Sequence, residues 1–462
     1  MPDLALCATL TVLSVTVLFL IGRPGGWNPA IPTAAGAGLL LALGALPRPG
    51  LSPSLSIAGS AALTLLCTIM MALVLDSIGF FRWTAYNVIR RAQGSGIRLY
   101  WLIGLLCCLM TLCLNSEGSI LITTPIIIRI GTLLNLQNRQ KFPYLISGAL
   151  VAIASSVPIG VGNLATLIGL RIIGMNLNTY AAQMLLPALL GIGAMAMLLF
   201  LLFRHAIPRR ITLFLPPDTP VFPDHIPRAY YNPKTIDRWI HKGNSPPAAS
   251  IDWSLFRAAL AIVVLVRIGY YAGARIGIPP EWIAAAGAVS LLAIRWIRVG
   301  VGPTDLLRKT PWSMFVFAVS LYMVVDSVHR SDITGLPMQA LKPYLEAGGL
   351  QTVMLAGFSA MLMSGLLNHL PAGMLSALSL SELGLDPGTL QLAYLANALG
   401  MEIGALLTPF GSVGLMLWLF LLRKHHVELS WKRAVWVMCV VVPISLAISL
   451  LGLYAGARWL TG

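Results

Sequence analysis

Residues 390–422 read LQLAYLANALGMEIGALLTPFGSVGLMLWLFLL, an apolar run interrupted by Thr408-Pro409-Phe410-Gly411-Ser412. A helix needs ~20 residues to cross the hydrocarbon core of a bilayer. This run exceeds thirty residues, too long for one straight crossing and too continuous for a soluble loop. Proline removes a backbone donor and pushes its predecessor out of helical conformation. The reading is therefore a broken helix with its break at the Pro-Gly segment. Residues 144–174, YLISGALVAIASSVPIGVGNLATLIGLRIIG, repeat the pattern, with Pro158-Ile159-Gly160-Val161-Gly162-Asn163 as the breaker. Irregular backbone at membrane depth is tolerated only where it is buried in protein or lines a cavity.

Two further stretches, 99–131 and 351–381, have polar, turn-prone centres. Asn115-Ser116-Glu117-Gly118 lies in one and Asn368-His369-Leu370-Pro371 in the other. Each reads as a re-entrant hairpin. The other expected spans lie near 4–21, 31–46, 54–75, 179–203, 256–275, 280–297, 311–328 and 434–457. The first run lacks a basic flank and a small-residue cleavage site, so it is expected to be a retained span rather than a signal peptide.

Composition agrees. The chain of 462 residues is 57% hydrophobic and 10% charged, with mean hydropathy +0.82. A soluble domain carries about 25% charged residues. The formal charge of +15 comes from arginines and lysines in loops between apolar runs, which argues against nucleic-acid binding. All six cysteines lie in apolar runs without zinc-type or disulfide-framework spacing, so no metal site or cofactor is expected.

Basic residues favour cytoplasmic loops. With both termini outside, the cytoplasmic side receives Arg90, Arg91, Arg98, Arg139, Lys141, the basic residues of 204–255, Arg295, Arg298, Arg308, Lys309, Arg423 and Lys424. The outside keeps few, such as Arg48, Arg275 and Arg458. That orientation, in the inner (plasma) membrane of a cell, is the expectation. Phe80–Gln93 mixes aromatic and basic residues and suits a helix lying in the cytoplasmic interface.

The halves resemble each other at an offset of about 250 residues. Leu73-Val74-Leu75-Asp76-Ser77 parallels Met323-Val324-Val325-Asp326-Ser327, and the tips and breakers follow in the same order. The expected fold is all-α and polytopic, with repeats at 1–203 and 256–462 around a Pro-rich cytoplasmic linker, 204–255. Five crossings plus one hairpin per repeat would make the copies inverted. Inverted repeats with discontinuous helices are an architecture of secondary transporters, with the site near the midplane.

The segments NSEGSILITTP (115–125), Gly162-Asn163-Leu164, Asn368-His369-Leu370-Pro371 and ANALGMEIGALLTPFGSVGLMLW (396–418) together resemble the arsenite/antimonite efflux permeases of the ion-transporter superfamily. The likeness extends to Asp76–Phe81 and Glu428–Trp431. It implies export of trivalent arsenic or antimony hydroxide, driven by the proton gradient. It also implies, for some members, a cytoplasmic ATPase subunit. The chain departs from the family pattern at Ser116-Glu117, His369-Leu370 and Met401-Glu402, all at the presumed site. A sodium/proton antiporter, or a carrier of silicate or an organic anion, is the alternative within the superfamily. Motifs of a membrane-embedded hydrolase are absent.

A neutral trihydroxide is best held by amides, hydroxyls and the unpaired backbone groups of half-helix ends. Asn115, Ser116, Asn163, Asn368, Thr408, Gly411 and Ser412 are the candidate solute contacts. Ionisable groups at membrane depth are costly and usually functional. Glu117, Glu402 and His369 are the candidates for proton coupling. Asp76 and Asp326 are expected in helix-end hydrogen bonding, Arg129 and Arg171 at the interface, and Arg267 either snorkelling outward or paired with an acid.

Overall fold

At the Pro/Gly segments 158–163 and 408–412 the helix stops and restarts, whereas the single prolines Pro125, Pro187 and Pro443 lie inside continuous helices. The computed structural model describes residues 2–22, 28–44, 55–211, 252–331, 335–427 and 430–461. Residues 212–251, most of the expected linker, lie outside the described residues, as do Glu428 and Leu429.

The described chain is helical throughout, without strands. The first half contains α1 (Pro2–Gly22), α2 (Ala30–Ala42), α3 (Ser60–Ser77, entered through a π-turn at Leu55–Gly59), α4 (Phe80–Ala92), α5 (Gly96–Cys113) and α6 (Ser116–Leu133). It continues with α7 (Asn138–Ala154), a 3-10 turn at Val157–Ile159, α8 (Leu164–Ile173) and α9 (Leu177–Phe203). The second half contains α10 (Trp253–Arg275), α11 (Pro280–Val299), the short α12 (Thr304–Lys309), α13 (Ser313–Arg330) and α14 (Gly335–Glu346). It ends with α15 (Gly349–Leu367), α16 (His369–Glu382), α17 (Pro387–Gly404), α18 (Val413–Lys424) and α19 (Trp431–Thr461).

Among the described residues, nine helical segments are long and apolar enough to cross a bilayer. The expected span at 31–46 is cut short. Helix α2 has 13 residues, about 20 Å at 1.5 Å per residue, and ends before Gly44 at φ +71. The expected start at 144 moves back to Asn138, because a capping box between Gln137 and Gln140 begins the helix one polar turn earlier. Helix α14 was not expected; its place after α13 matches that of α4 after α3.

Burial sorts the helices. In the Asn138–Ile173 segment 94% of the apolar window is buried, against 28% in α11. The broken helix is thus surrounded by protein, whereas α9, α10 and α11 expose large apolar side chains such as Leu185, Leu189, Leu265, Ile268 and Ile297. Faces of this kind suit lipid.

The packing crosses between the halves. Helix α2 lies on α13 and α3 lies on α11. Helix α8 packs on the second hairpin helix α16, and α18 packs on the first hairpin helix α6. Helix α9 lies against α19. Helices α15 and α17 approach closely: a Cβ on Gly400 would stand 1.9 Å from the Gly357 carbonyl oxygen, and one on Gly404 2.4 Å from Met361 Cα. Only glycine permits that backbone approach.

The first hairpin closes on itself. The Ser119 hydroxyl of α6 donates to the Cys107 carbonyl of α5 at 3.2 Å, which sets the two legs side by side.

Candidate functional site: four half-helix ends and a buried carboxylate

Helices α6, α8, α16 and α18 all begin at a break, and each begins with a side-chain cap. The first N–H groups of a helix have no intrahelical partner, and an Asn or Ser oxygen supplies one. Asn115 Oδ1 accepts from Gly118 N–H at 2.8 Å and Asn163 Oδ1 from Ala165 N–H at 2.8 Å. Asn368 Oδ1 accepts from Leu370 N–H at 3.3 Å and Ser412 Oγ from Leu415 N–H at 3.0 Å. Four of the candidate solute contacts are therefore caps. Capping occupies the amide oxygen of each asparagine and turns its Nδ2 toward something else.

For Asn163 that partner is Glu402. Glu402 lies on α17, 1% exposed, facing the break of the other half. Its carboxylate accepts from Asn163 Nδ2 at 2.7 Å, Thr166 Oγ1 at 2.9 Å and Ser156 Oγ at 3.3 Å. Among the described residues no cation pairs with it. Ser156 precedes the 3-10 turn, and Asn163 and Thr166 open α8, so the donors come from both sides of one break. Two tyrosines brace that break. Tyr180 OH donates to the Val157 carbonyl at 2.8 Å, and Tyr394 OH to the Thr166 carbonyl at 3.2 Å.

The second tip docks on the second break. Asn368 Nδ2 donates to the Phe410 carbonyl at 2.8 Å, and His369 N–H to the Gly411 carbonyl at 2.8 Å. The His369 ring nitrogen Nδ1 lies 3.2 Å from the same Gly411 oxygen. Thr408 Oγ1 donates to the Gly365 carbonyl at 2.7 Å. Thus His369, Asn368, Thr408 and Gly411 are brought together. Asn368 adopts φ +78, ψ 143, a conformation strained for any residue but glycine, and its two side-chain bonds hold it there.

At the first tip, Ser116 Oγ donates to Glu117 Oε2 at 3.0 Å. Glu117 is half-buried and within electrostatic range of Glu402.

Arg267 of α10 does not snorkel outward and, among the described residues, pairs with no acid. Its guanidinium donates to the Cys113 carbonyl from Nε at 3.2 Å and from Nη2 at 2.8 Å, and also to the Leu114 carbonyl. The physical reason is the C-terminal end of α5, where carbonyls lack intrahelical partners and attract a cation. Asp326 is bonded to Arg330 one turn on, at 2.9 Å, and Arg171 to Glu281 of α11 at 2.7 Å. Asp76 and Arg129 are exposed. Thr166, Ser156 and Arg267 were missed as site residues. The Thr at three residues past a capping Asn was the available signal for the first. No His/Cys/Asp/Glu cluster suited to a metal occurs among the described residues.

Long apolar helices, two helix breaks, the first of them buried in protein, and a buried carboxylate facing that break define a polytopic membrane protein built as a transporter. The family model described as arsenical pump membrane protein matches residues 8–218 and 230–460, and the chain belongs to that family. A putative arsenical pump membrane protein of Bacillus subtilis (strain 168) is 36% identical over 446 residues, covering 96% of this chain and 98% of its own. An arsenical pump membrane protein of Escherichia coli is 25% identical over 421 residues, covering 91% and 92%. Among solved structures, the Alcanivorax borkumensis YdaH transporter is similar over 98% of both chains, at 13% identity and a TM-score of 0.48.

Proposed function

We propose that this protein is a secondary active transporter that exports trivalent arsenite or antimonite from the cell by proton-coupled alternating access. The observation that carries this reading is Glu402: a carboxylate buried in the helical core, satisfied only by neutral donors across the break of the other half. Neutral donors leave it able to accept a proton, whereas a bound arginine or lysine would fix its charge. On this reading Glu402, with Glu117, takes a proton from outside and releases it inside as the solute moves outward, and His369 holds the second tip.

The halves act as inverted repeats. Each five-span unit carries one re-entrant hairpin and one broken helix, with domains at 1–203 and 256–462 and both termini outside. The hairpins and broken helices move together past α1–α3 and α10–α13 in an elevator-like motion. Asn115, Ser116, Asn163, Asn368, Thr408, Gly411 and Ser412 line the solute path. A cytoplasmic ATPase subunit, where one is used, docks on the 204–255 linker.

The testing experiment separates exchange from coupling. In proteoliposomes, Glu402→Gln is expected to retain arsenite counterflow, which needs no net proton movement, and to lose uptake driven by a pH gradient. Undiminished gradient-driven uptake in that variant excludes Glu402 as the proton carrier.

A further inference from the structure

Three asparagines cap the half-helices at the breaks, and their spare amide donors have different fates. Asn163 Nδ2 is spent on Glu402, and Asn368 Nδ2 on the Phe410 carbonyl. Asn115 is 0% exposed, yet its Nδ2 has no partner among the described residues. Its orientation is not open to a simple amide flip, because Oδ1 is fixed by the Gly118 N–H. A second donor at the same turn is also unspent. Arg267 holds the carbonyls of Cys113 and Leu114, the two residues before Asn115, and lies 5.7 Å from the Tyr270 ring centroid, while its Nη1 is buried without a hydrogen-bond partner among the described residues.

A buried donor left unsatisfied costs about 1–3 kcal/mol, more when charged. Two of them come from opposite halves of the chain, one on Asn115 and one on the arginine that holds the two carbonyls just before it. The second tip shows the contrast. There Asn368 Nδ2 is spent on the Phe410 carbonyl, the His369 N–H is spent on the Gly411 carbonyl, and neither residue leaves a buried side-chain donor without a partner among the described residues. Of the two tips, only the first leaves buried donors unspent among the described residues.

We infer that Asn115 Nδ2 and Arg267 Nη1 form a subsite for the oxygen atoms of a small hydroxylated oxyacid, and that Arg267 sets its selectivity for such a solute over a monovalent cation. This rests on the proposed export function and adds to it the polarity of the solute's binding face. A guanidinium fork holds oxygen acceptors in a fixed plane and repels a sodium ion. Its remaining donors tie the same fork to the end of α5, so the subsite moves only if α5 and α10 separate. The site would therefore exist in one access state and be dismantled in the other.

The test uses the full chain, purified, with potassium arsenite as the probe in sodium-free buffer. Asn115→Asp keeps the oxygen that caps Gly118 and replaces the donor by an acceptor. Arg267→Lys keeps the charge and can still reach the Cys113 carbonyl, but lacks the fork. Each is expected to raise the arsenite KM in proteoliposomes at least tenfold with a Vmax within about twofold of the parent. The double variant should be no worse than the weaker single, because both donors hold the same solute. In parallel, arsenite should raise the unfolding temperature of the parent protein and not that of Asn115→Asp, while sodium should raise neither. Unchanged KM in both variants, with lower unfolding temperatures, would show that the two residues only cap helix ends and would overturn the subsite. Stabilisation of the parent by sodium rather than arsenite would overturn it too. Binding of arsenite without transport would leave the subsite standing and contradict the export reading instead.

Discussion

Replacing Glu402 by alanine is the perturbation whose cost can be worked most fully from the geometry. Three donors converge on the carboxylate: Asn163 Nδ2 at 2.7 Å, Thr166 Oγ1 at 2.9 Å and Ser156 Oγ at 3.3 Å. Ser156 has an alternative, since its hydroxyl also lies 2.7 Å from the Ile153 carbonyl. Asn163 Nδ2 has no other acceptor among the described residues, whereas Thr166 Oγ1 can fall back on the Tyr180 hydroxyl beside it, so alanine orphans one buried donor outright. The loss from that donor is about 1–3 kcal/mol, partly offset because a buried carboxyl no longer has to be desolvated. Glutamine behaves differently. Its oxygen can take the place facing Asn163 and Ser156, its amide can face Thr166, and the threonine hydroxyl can rotate to accept. Glutamine should therefore fold within about 1 kcal/mol of the parent, having exchanged charged for neutral hydrogen bonds. The assay is thermal unfolding of the detergent-solubilised protein followed by tryptophan fluorescence. The expected order is parent and Glu402→Gln close together, Glu402→Ala well below both. Equal unfolding temperatures for alanine and glutamine would refute the claim that this carboxylate organises the break.

Other perturbations probe the surrounding frame. Asn368→Gly relieves the positive φ but removes the bonds to Leu370 N–H and the Phe410 carbonyl. Two lost bonds of about 1 kcal/mol each against about 1–3 kcal/mol of strain predict near-neutral stability, with reduced transport because the second tip is no longer tied to the break; a stability loss above about 4 kcal/mol would contradict that balance. Gly400→Leu places side-chain atoms on the Gly357 carbonyl, and should prevent α15 from seating on α17 and abolish accumulation of folded protein; normal yield by size-exclusion chromatography would contradict the close approach. Asp386 caps α17 through Thr389 N–H at 2.9 Å, and hydrogen bonds from Thr389 hold its carboxyl below the usual carboxylate range. A depressed pKa stabilises the fold above the unfolded value and loses that stabilisation as pH falls through the folded one. Parent and Asp386→Asn should thus differ in unfolding temperature at neutral pH and converge in acid; a constant difference would contradict the cap.

Much of the frame was legible because breakers act locally. Pro158, Gly160, Pro409 and Gly411 interrupt apolar runs that nothing else interrupts, and the helices stop there. Asn115, Asn163, Asn368 and Ser412 could be singled out because a capping residue is read from its place before a helix. What they cap with, and what their other atoms touch, could not. The partners of Glu402 lie more than 230 residues away in the chain, at Ser156, Asn163 and Thr166. Such contacts follow from how α17 packs on the first break, and no spacing within either segment encodes it. Arg267 shows the same limit. A basic residue inside a span invites an acidic partner, yet the unpaired carbonyls at the end of α5 serve instead, and a helix end is visible to sequence reading only once its geometry is known. Helix α2 fell short because its apolar pattern continues past Gly44, where the backbone turns left-handed.

The central claim is proton-driven export of a metalloid oxyacid, and one measurement bears on it most directly. Everted membrane vesicles containing the protein are loaded at acid pH, diluted into neutral, sodium-free buffer and offered arsenite. The account predicts arsenite accumulation above that of vesicles lacking the protein, abolished by a protonophore. No accumulation above those control vesicles, with silicate, or sodium supplied in a parallel assay, carried instead, would contradict it.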